Sequence, residues 1–418
     1  MPDLISVTGQ HIDSIIKIDD VDKENIVLIT GQAPPPPTAK RWMAGSRLGH
    51  IWTTSASNGD TGWNQGAGTV RGTGYIAVVG SGQANSVGYG YVDPAADPLV
   101  ERWVFGCENI GNSGSTPYIN SQSCQPADLD GAGRPTYATE SNWVSGSGNG
   151  ANLGYISNGQ IMYGNGVWIR GGKWLIDGSD RHVIGRSTDG GNSFTMIDMN
   201  NTIQDYCRAV GYEGGTSGNW LAVVQTHVWK SVDNGATWTD LGELDTAEGS
   251  PQDFYTMAYD GTGRWIIAGA AGYGYTSITA IADMTSEDLD TQWIKLGPGM
   301  PGGFDTGENL YGLVYMKGSV NKWVVCGGGG IIKTYAYTSS NSDPGNDWTT
   351  ISTPSVTTNL RDIATDHTTI VVVGESGVIF AGPDPADMEQ LNKTNDGVGT
   401  ERLNCISCDI IGAGKIND

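Results

Sequence analysis

The octapeptide at positions 231–238, SVDNGATW, constrains the fold more than any other feature of this chain, because copies of it recur. Forty-four residues earlier, STDGGNSF keeps every key position, with serine for threonine and phenylalanine for tryptophan. Two degenerate copies, SASNGDTGW and NSDPGNDW, keep most of the spacing. Self-similarity of this kind indicates a chain built from repeated supersecondary units.

A second repeated element is a short apolar run that usually opens with an aromatic residue and closes with glycine. Runs of this length are typical of strands buried on both faces. They are WMAG, YIAVVG, WLIDG, WLAVV, WIIAG, WVVCG and IVVVG, starting at Trp42, Tyr75, Trp174, Trp220, Trp265, Trp323 and Ile370. With a strand before each run and the two strands around the octapeptide, a unit holds four antiparallel strands. That is the pattern of a β-propeller blade.

The spacing of the units predicts an all-β, seven-bladed β-propeller over residues 40–418. Setting aside a predicted loop insertion at 104–160 leaves about 46 residues for each blade. The high glycine content, 63 of 418 residues, agrees with many short strands and tight turns. The segment starting LNCISCD at Leu403 has the spacing of LRDIATD at Leu360, whereas the first unit lacks a first strand. We therefore expect strand 403–411 to complete blade one and close the ring.

The octapeptide resembles the Asp-box, the repeat of bacterial neuraminidases, sortilin-type receptors and photosystem assembly factors. This resemblance implies a fold and no single activity, because those families do unrelated things. An aspartate accepts hydrogen bonds within its own turn and glycine supplies a conformation that other residues resist. We therefore predict a structural role for Ser187, Asp189, Gly191, Phe194, Ser231, Asp233, Gly235, Trp238, Asp343, Gly345 and Trp348.

Sialidases resemble one another in an arginine triad, a Tyr/Glu pair, an acidic Asp and an early F/Y-R-I-P segment. No R-I-P occurs in this sequence, and no triad stands out among arginines such as Arg41, Arg47, Arg170, Arg181, Arg186 and Arg208. We predict no catalytic residues and a non-enzymatic protein. A sialidase-like enzyme would instead be favoured by three arginines and a Tyr–Glu pair converging on the propeller axis.

Residues 1–32 are predicted to form an N-terminal arm outside the propeller, and the proline-rich stretch 33–39 a stiff linker. The arm carries a small internal echo of isoleucines, Ile12, Ile15, Ile18, Ile26 and Ile29. Its S-I-x-K-I pattern resembles N-terminal segments of virion proteins of tailed bacteriophages, which implies an anchoring role. The alternative is an ordinary pair of strands lying on the propeller.

The 104–160 insertion is polar and carries four aromatic residues, Tyr118, Tyr137, Trp143 and Tyr155. Long loops of this composition suit glycan or protein binding, although a packing lid or a subunit contact fits equally well. Cys107 and Cys124 form a candidate disulfide across one loop, with two free thiols as the alternative. Five scattered histidines and an isolated Asp128–Asp130 pair predict neither a metal site nor a cofactor.

A formal net charge of −22 argues against nucleic acid and anionic membranes as partners. The N-terminal residues show no signal peptide. The leading hypothesis is a non-enzymatic structural or adhesion component of a tailed-phage virion (tail, fibre or decoration protein), assembled in the host cytoplasm. Its arm would bind other virion proteins, and its propeller would contact host surface glycans or proteins. The alternatives are a sialidase-like glycoside hydrolase or glycan-binding propeller, and a photosystem-assembly-factor-like propeller with an arginine-rich patch.

Overall fold

The computed structural model divides into two units, Met1–Ala39 and Lys40–Asp418, and every described residue lies in the second. The predicted arm and linker, with the five arm isoleucines, therefore lie outside the described residues. Those are residues 42–48, 51–54, 64–65, 82–92, 101–109, 121–124, 144–145, 160–176, 179–199, 206–244, 253–287, 289–297, 303–317, 321–336, 347–351, 356–390 and 400–409.

The fold is an all-β β-propeller. In the described ranges, 28 strands form seven antiparallel sheets of four strands each. The first sheet holds β1 (Trp42–Ser46), β2 (Ile51–Thr54), β3 (Asn64–Gln65) and the last strand, β28 (Leu403–Cys408). The second holds β4 (Gly82–Tyr91), β5 (Glu101–Asn109), β6 (Ser121–Cys124) and β7 (Val144–Ser145). The third holds β8 (Ile161–Gly164), β9 (Val167–Ile176), β10 (Ser179–Ser187) and β11 (Thr195–Asp198).

The remaining four sheets follow in chain order. They are β12 (Cys207–Tyr212), β13 (Trp220–Val224), β14 (His227–Ser231) and β15 (Thr239–Glu243); β16 (Phe254–Tyr259), β17 (Trp265–Gly269), β18 (Gly274–Ser277) and β19 (Trp293–Lys295); β20 (Leu310–Met316), β21 (Lys322–Gly327), β22 (Ile332–Ala336) and β23 (Thr349–Ile351); and β24 (Leu360–Thr365), β25 (Ile370–Gly374), β26 (Ile379–Gly382) and β27 (Glu389–Gln390). Within the described ranges, the single α-helix is the short α1 (Leu289–Gln292).

The first sheet is assembled from both ends of the described chain. β28 pairs antiparallel with β1, so that Ile406 lies opposite Ala44 and Cys408 opposite Trp42. The backbone N–H of Ile406 also donates to the Asp362 carboxylate of β24, at 3.0 Å. β28 is thus bonded to the first sheet through its backbone and to the last one through a side chain.

A cross-strand tyrosine–tryptophan pair repeats in five of the sheets. In each, a tyrosine near the end of the first strand lies opposite a tryptophan at or near the start of the second, and the ring centroids are 4.8–5.2 Å apart. Aromatic pairs at this distance add to the stabilisation that burial itself provides. The tryptophans, all 0% exposed, are Trp103, Trp168, Trp220, Trp265 and Trp323.

These pairs show that the sequence-based prediction placed the repeated tryptophan of one strand at the wrong residue. The run WLIDG at Trp174 lies in the second half of β9, whereas the repeated position is taken by Trp168, opposite Tyr163. The run starting at Tyr75 lies outside the described residues. Trp103, which opens the run WVFG, takes the repeated position in β5.

The predicted loop insertion at 104–160 is also corrected. It contains most of β5 and all of β6 and β7, which pair with β4 and one another as a sheet. Trp103-Val-Phe-Gly fits the aromatic–apolar–glycine pattern of the other second strands, and this signal was available in the sequence. Residues 104–160 were nevertheless predicted to be a loop, because they are rich in glycine, serine and asparagine, which favour turns and loops over strands.

Candidate functional site

A β-bulge recurs at the second position of most first strands. The pairing with the second strand shifts at this point, which leaves one extra residue on the first strand. The extra residues are Asn85 in β4, Arg208 in β12, Tyr255 in β16, Tyr311 in β20, Arg361 in β24 and Asn404 in β28. Six sheets therefore present one side chain each from equivalent positions.

All six bulge residues line one cavity of about 250 Å³, together with Gln160, which immediately precedes β8. One arc of the cavity wall consists of four large side chains in contact with one another. This large arc is Arg208, Tyr255, Tyr311 and Arg361. The rest of the wall mixes small side chains with larger ones and includes Asn85, Ser86, Gly88, Asn404 and Ser407 beside Tyr89, Tyr163 and Arg402.

The large arc is a continuous ladder of aromatic and cationic contacts. The guanidinium carbon of Arg208 lies 5.1 Å from the centroid of the Tyr255 ring. Tyr255 stacks on Tyr311 with centroids 5.6 Å apart and planes 20° apart, and Arg361 lies 4.5 Å from the Tyr311 centroid. Cation–π contacts hold such groups in fixed orientations, so this arc is a preorganised wall.

Carboxylates outside the arc hold the two ladder arginines. Arg208 Nη2 donates to Asp253 Oδ2 at 3.1 Å, and Arg361 donates to Glu375 Oε1 through both Nε, at 3.1 Å, and Nη2. Burial alone would raise the pKa of Glu375, but hydrogen bonds and charge from Arg361 outweigh it and lower that pKa. Glu375 is therefore held ionised.

A third arginine, Arg402, lines the same cavity. Its Nη1 lies 3.8 Å from Glu375 Oε1, and its Nε is buried with no hydrogen-bond partner among the described residues. Burial and the neighbouring charges of Arg361 and Arg47 lower its pKa, although a guanidinium stays protonated in proteins. Arg402 thus adds a third guanidinium group to the cavity lining.

Asn404 also lines the cavity and is 8% exposed. Its Nδ2 donates to Asn85 Oδ1 at 3.1 Å. Within the described part of the chain, its buried Oδ1 has no hydrogen-bond partner. That oxygen is closed off from the cavity, so it is not a contact for a bound molecule.

The octapeptide turns lie away from this cavity, between strands of single sheets. Ser231 Oγ donates to Asp233 Oδ1 at 2.8 Å and accepts from the Gly235 N–H at 2.9 Å. Thr237 donates to Asp233 through its N–H at 2.8 Å and its hydroxyl at 2.6 Å. Trp238 donates from Nε1 to the Gly235 carbonyl at 3.2 Å. The oxygens of Asp233 are therefore occupied within the turn.

The upstream copy has the same bonds. Ser187 Oγ donates to Asp189 Oδ1 at 2.7 Å and accepts from Gly191, and Ser193 donates twice to Asp189. Burial tends to raise the pKa values of Asp189 and Asp233, but the hydrogen bonds of the two turns outweigh it and lower both. Phe194 closes this turn and is buried beside Val104 and Trp168.

Of the third copy, Trp348 is described and packs against Phe304 and Tyr335, whereas Asp343 and Gly345 lie outside the described residues. Tyr118, Tyr137, Trp143 and Tyr155, the candidate binding residues, also lie outside. The predictions for all of these undescribed residues stay predictions.

The candidate disulfide does not fit the strand register. Cys124 lies opposite Trp103 on β5, four positions from Cys107, whose partner is Ala84 on β4. Four residues of strand span about 13 Å, and a disulfide needs Cα atoms within about 7 Å. Cys405 and Cys408 form no disulfide, are buried, and pack in separate apolar clusters on the two faces of β28.

Arg208 was among the arginines considered from the sequence, whereas Arg361, Arg402, Tyr255 and Tyr311 were not predicted. A signal for three of them was present. In the first strands CRAVGY, FYTMAY, LYGLVY, LRDIAT and LNCISC, the bulge residue is always the second residue, which covers five of the six bulges. Arg402 precedes its strand and has no such signal.

Across the described ranges, no group of three or more His, Cys, Asp or Glu side chains could hold a metal ion. In the same ranges, no helix has both the length and the apolar character needed to cross a membrane.

No family model and no curated protein sequence matches this chain. Solved structures are similar in fold. A protein from Lactobacillus plantarum is 10% identical, with a TM-score of 0.51 over 88% of this chain and 99% of that one. YCF48 bound to a D1 peptide is 13% identical, with a TM-score of 0.45 over 74% and 81%. A luciferin-regenerating enzyme is 10% identical, with a TM-score of 0.39 over 57% and 78%. At identities this low, the similarity shows the propeller fold alone.

Proposed function

We propose that this chain is a non-enzymatic adhesion protein of a tailed-phage virion, whose propeller recognises an anionic group in the axial cavity. The observation that carries the binding role is the convergence of Arg208, Arg361 and Arg402 on one cavity. They are three of only twelve arginines in a chain with a net charge of −22. Clustered guanidinium groups in a partly dry site favour anions.

The seven sheets are, in this proposal, the blades of one closed ring, and the octapeptide turns are Asp-boxes. The equivalent bulges of six first strands around one cavity support a ring, and the β28–β1 pairing supports closure by the last strand. The matching hydrogen bonds of the turns at Asp189 and Asp233 support a shared motif. Closing the ring gives the first blade the same four strands as the others.

Binding rather than catalysis is favoured by the state of the carboxylates. A general acid needs a raised pKa, whereas Glu375 is paired with Arg361 and its pKa is lowered. Asp253 is likewise paired with Arg208, and Asp362 accepts the N–H of Ile406. The carboxylates at this site are occupied in holding arginines and strands in place.

The attachment part of the proposal comes from the sequence of residues 1–32. Their resemblance to N-terminal segments of phage virion proteins and the proline-rich stretch 33–39 support an anchoring arm with a stiff spacer. In this arrangement the arm binds other virion proteins, and the axial cavity remains available to a host surface glycan or protein.

A sialidase-like hydrolase is the second candidate, because three arginines, Tyr311 and Glu375 lie at or beside one axial cavity. Incubating the chain with fluorogenic sialosides and glucuronides tests it. We expect no release of fluorophore above the level of an Arg361→Met variant. Turnover that this substitution abolishes would replace the binding proposal with the enzymatic one.

Host-cell retention of the fluorescently labelled chain tests the binding proposal. Arg402→Gln is expected to abolish retention, because it removes one of the three cations that line the cavity. Lys317→Gln is a matched control that also removes one positive charge. Lys317 is exposed and lies six residues beyond Tyr311, about 20 Å along the strand. Equal retention of the two variants would contradict a role for the cavity.

Mass spectrometry of purified particles from the phage that encodes the chain tests attachment. We expect the full chain in the particles, and we expect it to be lost from particles when residues 1–32 are deleted. Particles that retain the truncated chain would show that the arm is not the anchor, and particles without the full chain would remove the virion role.

A further inference from the structure

Asn309 immediately precedes β20 and is held from two sides. Its main-chain carbonyl accepts the Gly328 N–H of the same sheet at 2.8 Å. Its Oδ1 accepts the N–H of Ala271, which follows β17 in the neighbouring sheet, at 2.9 Å. Because a backbone N–H can only donate, the amide oxygen must face Ala271, and this fixes the orientation of the amide. The Nδ2 group of Asn309 is therefore directed at the Tyr311 hydroxyl oxygen, 3.2 Å away.

This contact fixes the hydroxyl of Tyr311 as a hydrogen-bond donor. An amide nitrogen only donates, so the Tyr311 oxygen accepts from Asn309 and keeps its own hydrogen for another acceptor. Among the described residues, no acceptor is bonded to that hydrogen. The Tyr311 ring lies between Tyr255, with centroids 5.6 Å apart, and the Arg361 guanidinium, 4.5 Å from its own centroid. It therefore presents its edge, with the hydroxyl, to the cavity that it lines.

The position two residues before the bulge residue has a similar role in the two neighbouring sheets. Asp253 and Asn359 occupy it before β16 and β24, and each carbonyl accepts an N–H from the turn after the second strand, at 2.8 and 2.9 Å. The Asp253 side chain accepts from Arg208 at 3.1 Å. The Asn359 side chain donates to Glu375 Oε1 at 3.3 Å, and Glu375 in turn holds Arg361. This position therefore orients side chains of the large arc in three consecutive sheets.

We propose that Tyr311 donates its hydroxyl hydrogen to the anionic group bound in the cavity, and that Asn309 is the positioning residue that keeps the hydroxyl free to do so. Tyr311 has this role only if the cavity is the binding site, so the assignment rests on the proposed function. It adds a neutral, directional donor to the arginines that line the cavity. Hydrogen bonds to charged acceptors are stronger than those between neutral groups, so loss of this donor has a measurable effect.

Binding isotherms of the fluorescently labelled full chain on washed host cells test the donor. Tyr311→Phe keeps the stacked ring and removes only the hydroxyl, so we expect the concentration for half-maximal retention to rise at least about tenfold. Tyr315→Phe is the matched control, because Tyr315 lies near the other end of β20, outside the cavity lining, and donates to Asn321 at 3.4 Å. This control should bind as the wild type does. Equal isotherms for Tyr311→Phe and the wild type would overturn the donor role.

Asn309→Asp tests the positioning role. Aspartate keeps an oxygen for the Ala271 N–H, but it has no N–H for Tyr311 and accepts the hydroxyl hydrogen instead. We expect an unchanged melting temperature and a loss of retention similar to that of Tyr311→Phe. A lower melting temperature with unchanged retention would leave Asn309 a purely structural residue.

The Asn309→Asp/Tyr311→Phe double variant separates the hydroxyl from the added charge, because the new carboxylate also repels an anion. If Asn309 acts through the hydroxyl, the double variant should bind no more than about threefold more weakly than Tyr311→Phe alone. If the added charge is the whole cause, the losses of the two single variants multiply in the double variant, and the positioning role is wrong.

Arg402→Gln, measured on the same cells, distinguishes failure of this assignment from failure of the proposed function. If Arg402→Gln abolishes retention and Tyr311→Phe does not change it, the cavity binds an anion without the hydroxyl, and only the roles of Tyr311 and Asn309 are wrong. If neither substitution changes retention, the cavity is not the binding site, and the proposed function is wrong as well.

Discussion

The guanidinium of Arg361 lies over the ring of Tyr311, 4.5 Å from its centroid, from the adjacent sheet. Arg361 also donates two hydrogen bonds to Glu375. It therefore links two inner strands and fixes the carboxylate that also neighbours Arg402. Replacing Arg361 by methionine leaves Glu375 without its main partner. We expect a loss of about 1–3 kcal/mol in the free energy of unfolding, measured by urea denaturation at pH 7.

Arg361→Lys is the matched control for that change. Lysine keeps the positive charge but lacks the planar fork that donates twice to one carboxylate. It should therefore lose less stability than methionine does. Equal unfolding midpoints for the wild type and both variants would show that the Arg361–Glu375 contact contributes nothing to stability.

Three carboxylates make stability depend on acid pH in a defined direction. The pKa values of Glu375, Asp189 and Asp233 are lowered in the folded chain, from ordinary values of 4.5 for Glu and 3.8 for Asp. Their contribution is complete above those ordinary values and is lost as the pH falls through the lowered, folded-state values. The urea concentration at the unfolding midpoint should therefore decrease as the pH is lowered below about 4.5. In the Arg361→Met variant this decrease should be less steep. A midpoint that is flat down to pH 3 would contradict this.

Asp233 should matter for folding and not for ligand binding. Asp233→Ala removes the acceptor for two bonds from Thr237 and one from Ser231, and we expect a loss of about 1–2 kcal/mol. The neighbouring Val232→Ala is the matched control, since Val232 is 54% exposed. Urea denaturation and host-cell retention measure the two properties, and loss of retention at unchanged stability would place Asp233 in a site.

The propeller fold was predictable from the sequence, because repeats at turn and core positions are imposed by local chemistry. Ser231, Asp233 and Gly235 are needed to shape one hairpin, and Trp220 or Trp265 to fill one sheet interface, so the same letters return in each unit. The predicted start of the buried strand was wrong at Trp174. β9 contains two tryptophans, and the prediction placed the repeated position at Trp174 instead of Trp168.

The cavity was not predictable in the same way. Tyr255, Tyr311 and Arg361 occupy equivalent bulges but differ in type, because side chains that line a cavity are not constrained by packing between sheets. Equivalent positions that hold different residue types do not stand out as a sequence repeat. Arg402 meets Glu375 only through the fold, since 27 residues of chain separate them.

The proposal that the last strand closes the ring predicts a chain that can be completed in trans. A chain ending at Arg402 lacks β28, so we expect no cooperative unfolding transition for it. Adding a synthetic peptide of residues 403–418 should restore the transition, because the peptide can pair with β1 as an added strand. A peptide with Ile406→Pro, which cannot donate the N–H that Asp362 accepts, is the control. A cooperative transition without any peptide would exclude closure by β28.

Gly235 of the octapeptide lies against the neighbouring sheet, which predicts a specific rescue. Its φ is +76°, and an added Cβ would lie 2.5 Å from Ile169 Cδ1 on β9. Gly235→Ala should cost about 1–2 kcal/mol for the left-handed backbone and a further 1–3 kcal/mol for the clash. Gly215→Ala, at φ +62° with nothing within 4 Å of the added Cβ, should cost only the backbone contribution.

A double variant tests the contact with Ile169 directly. Ile169→Val removes Cδ1, so the Gly235→Ala/Ile169→Val double variant should be more stable than additivity predicts by at least about 0.5 kcal/mol. Additive free energies in urea denaturation would mean that the octapeptide turn and β9 are not in energetic contact.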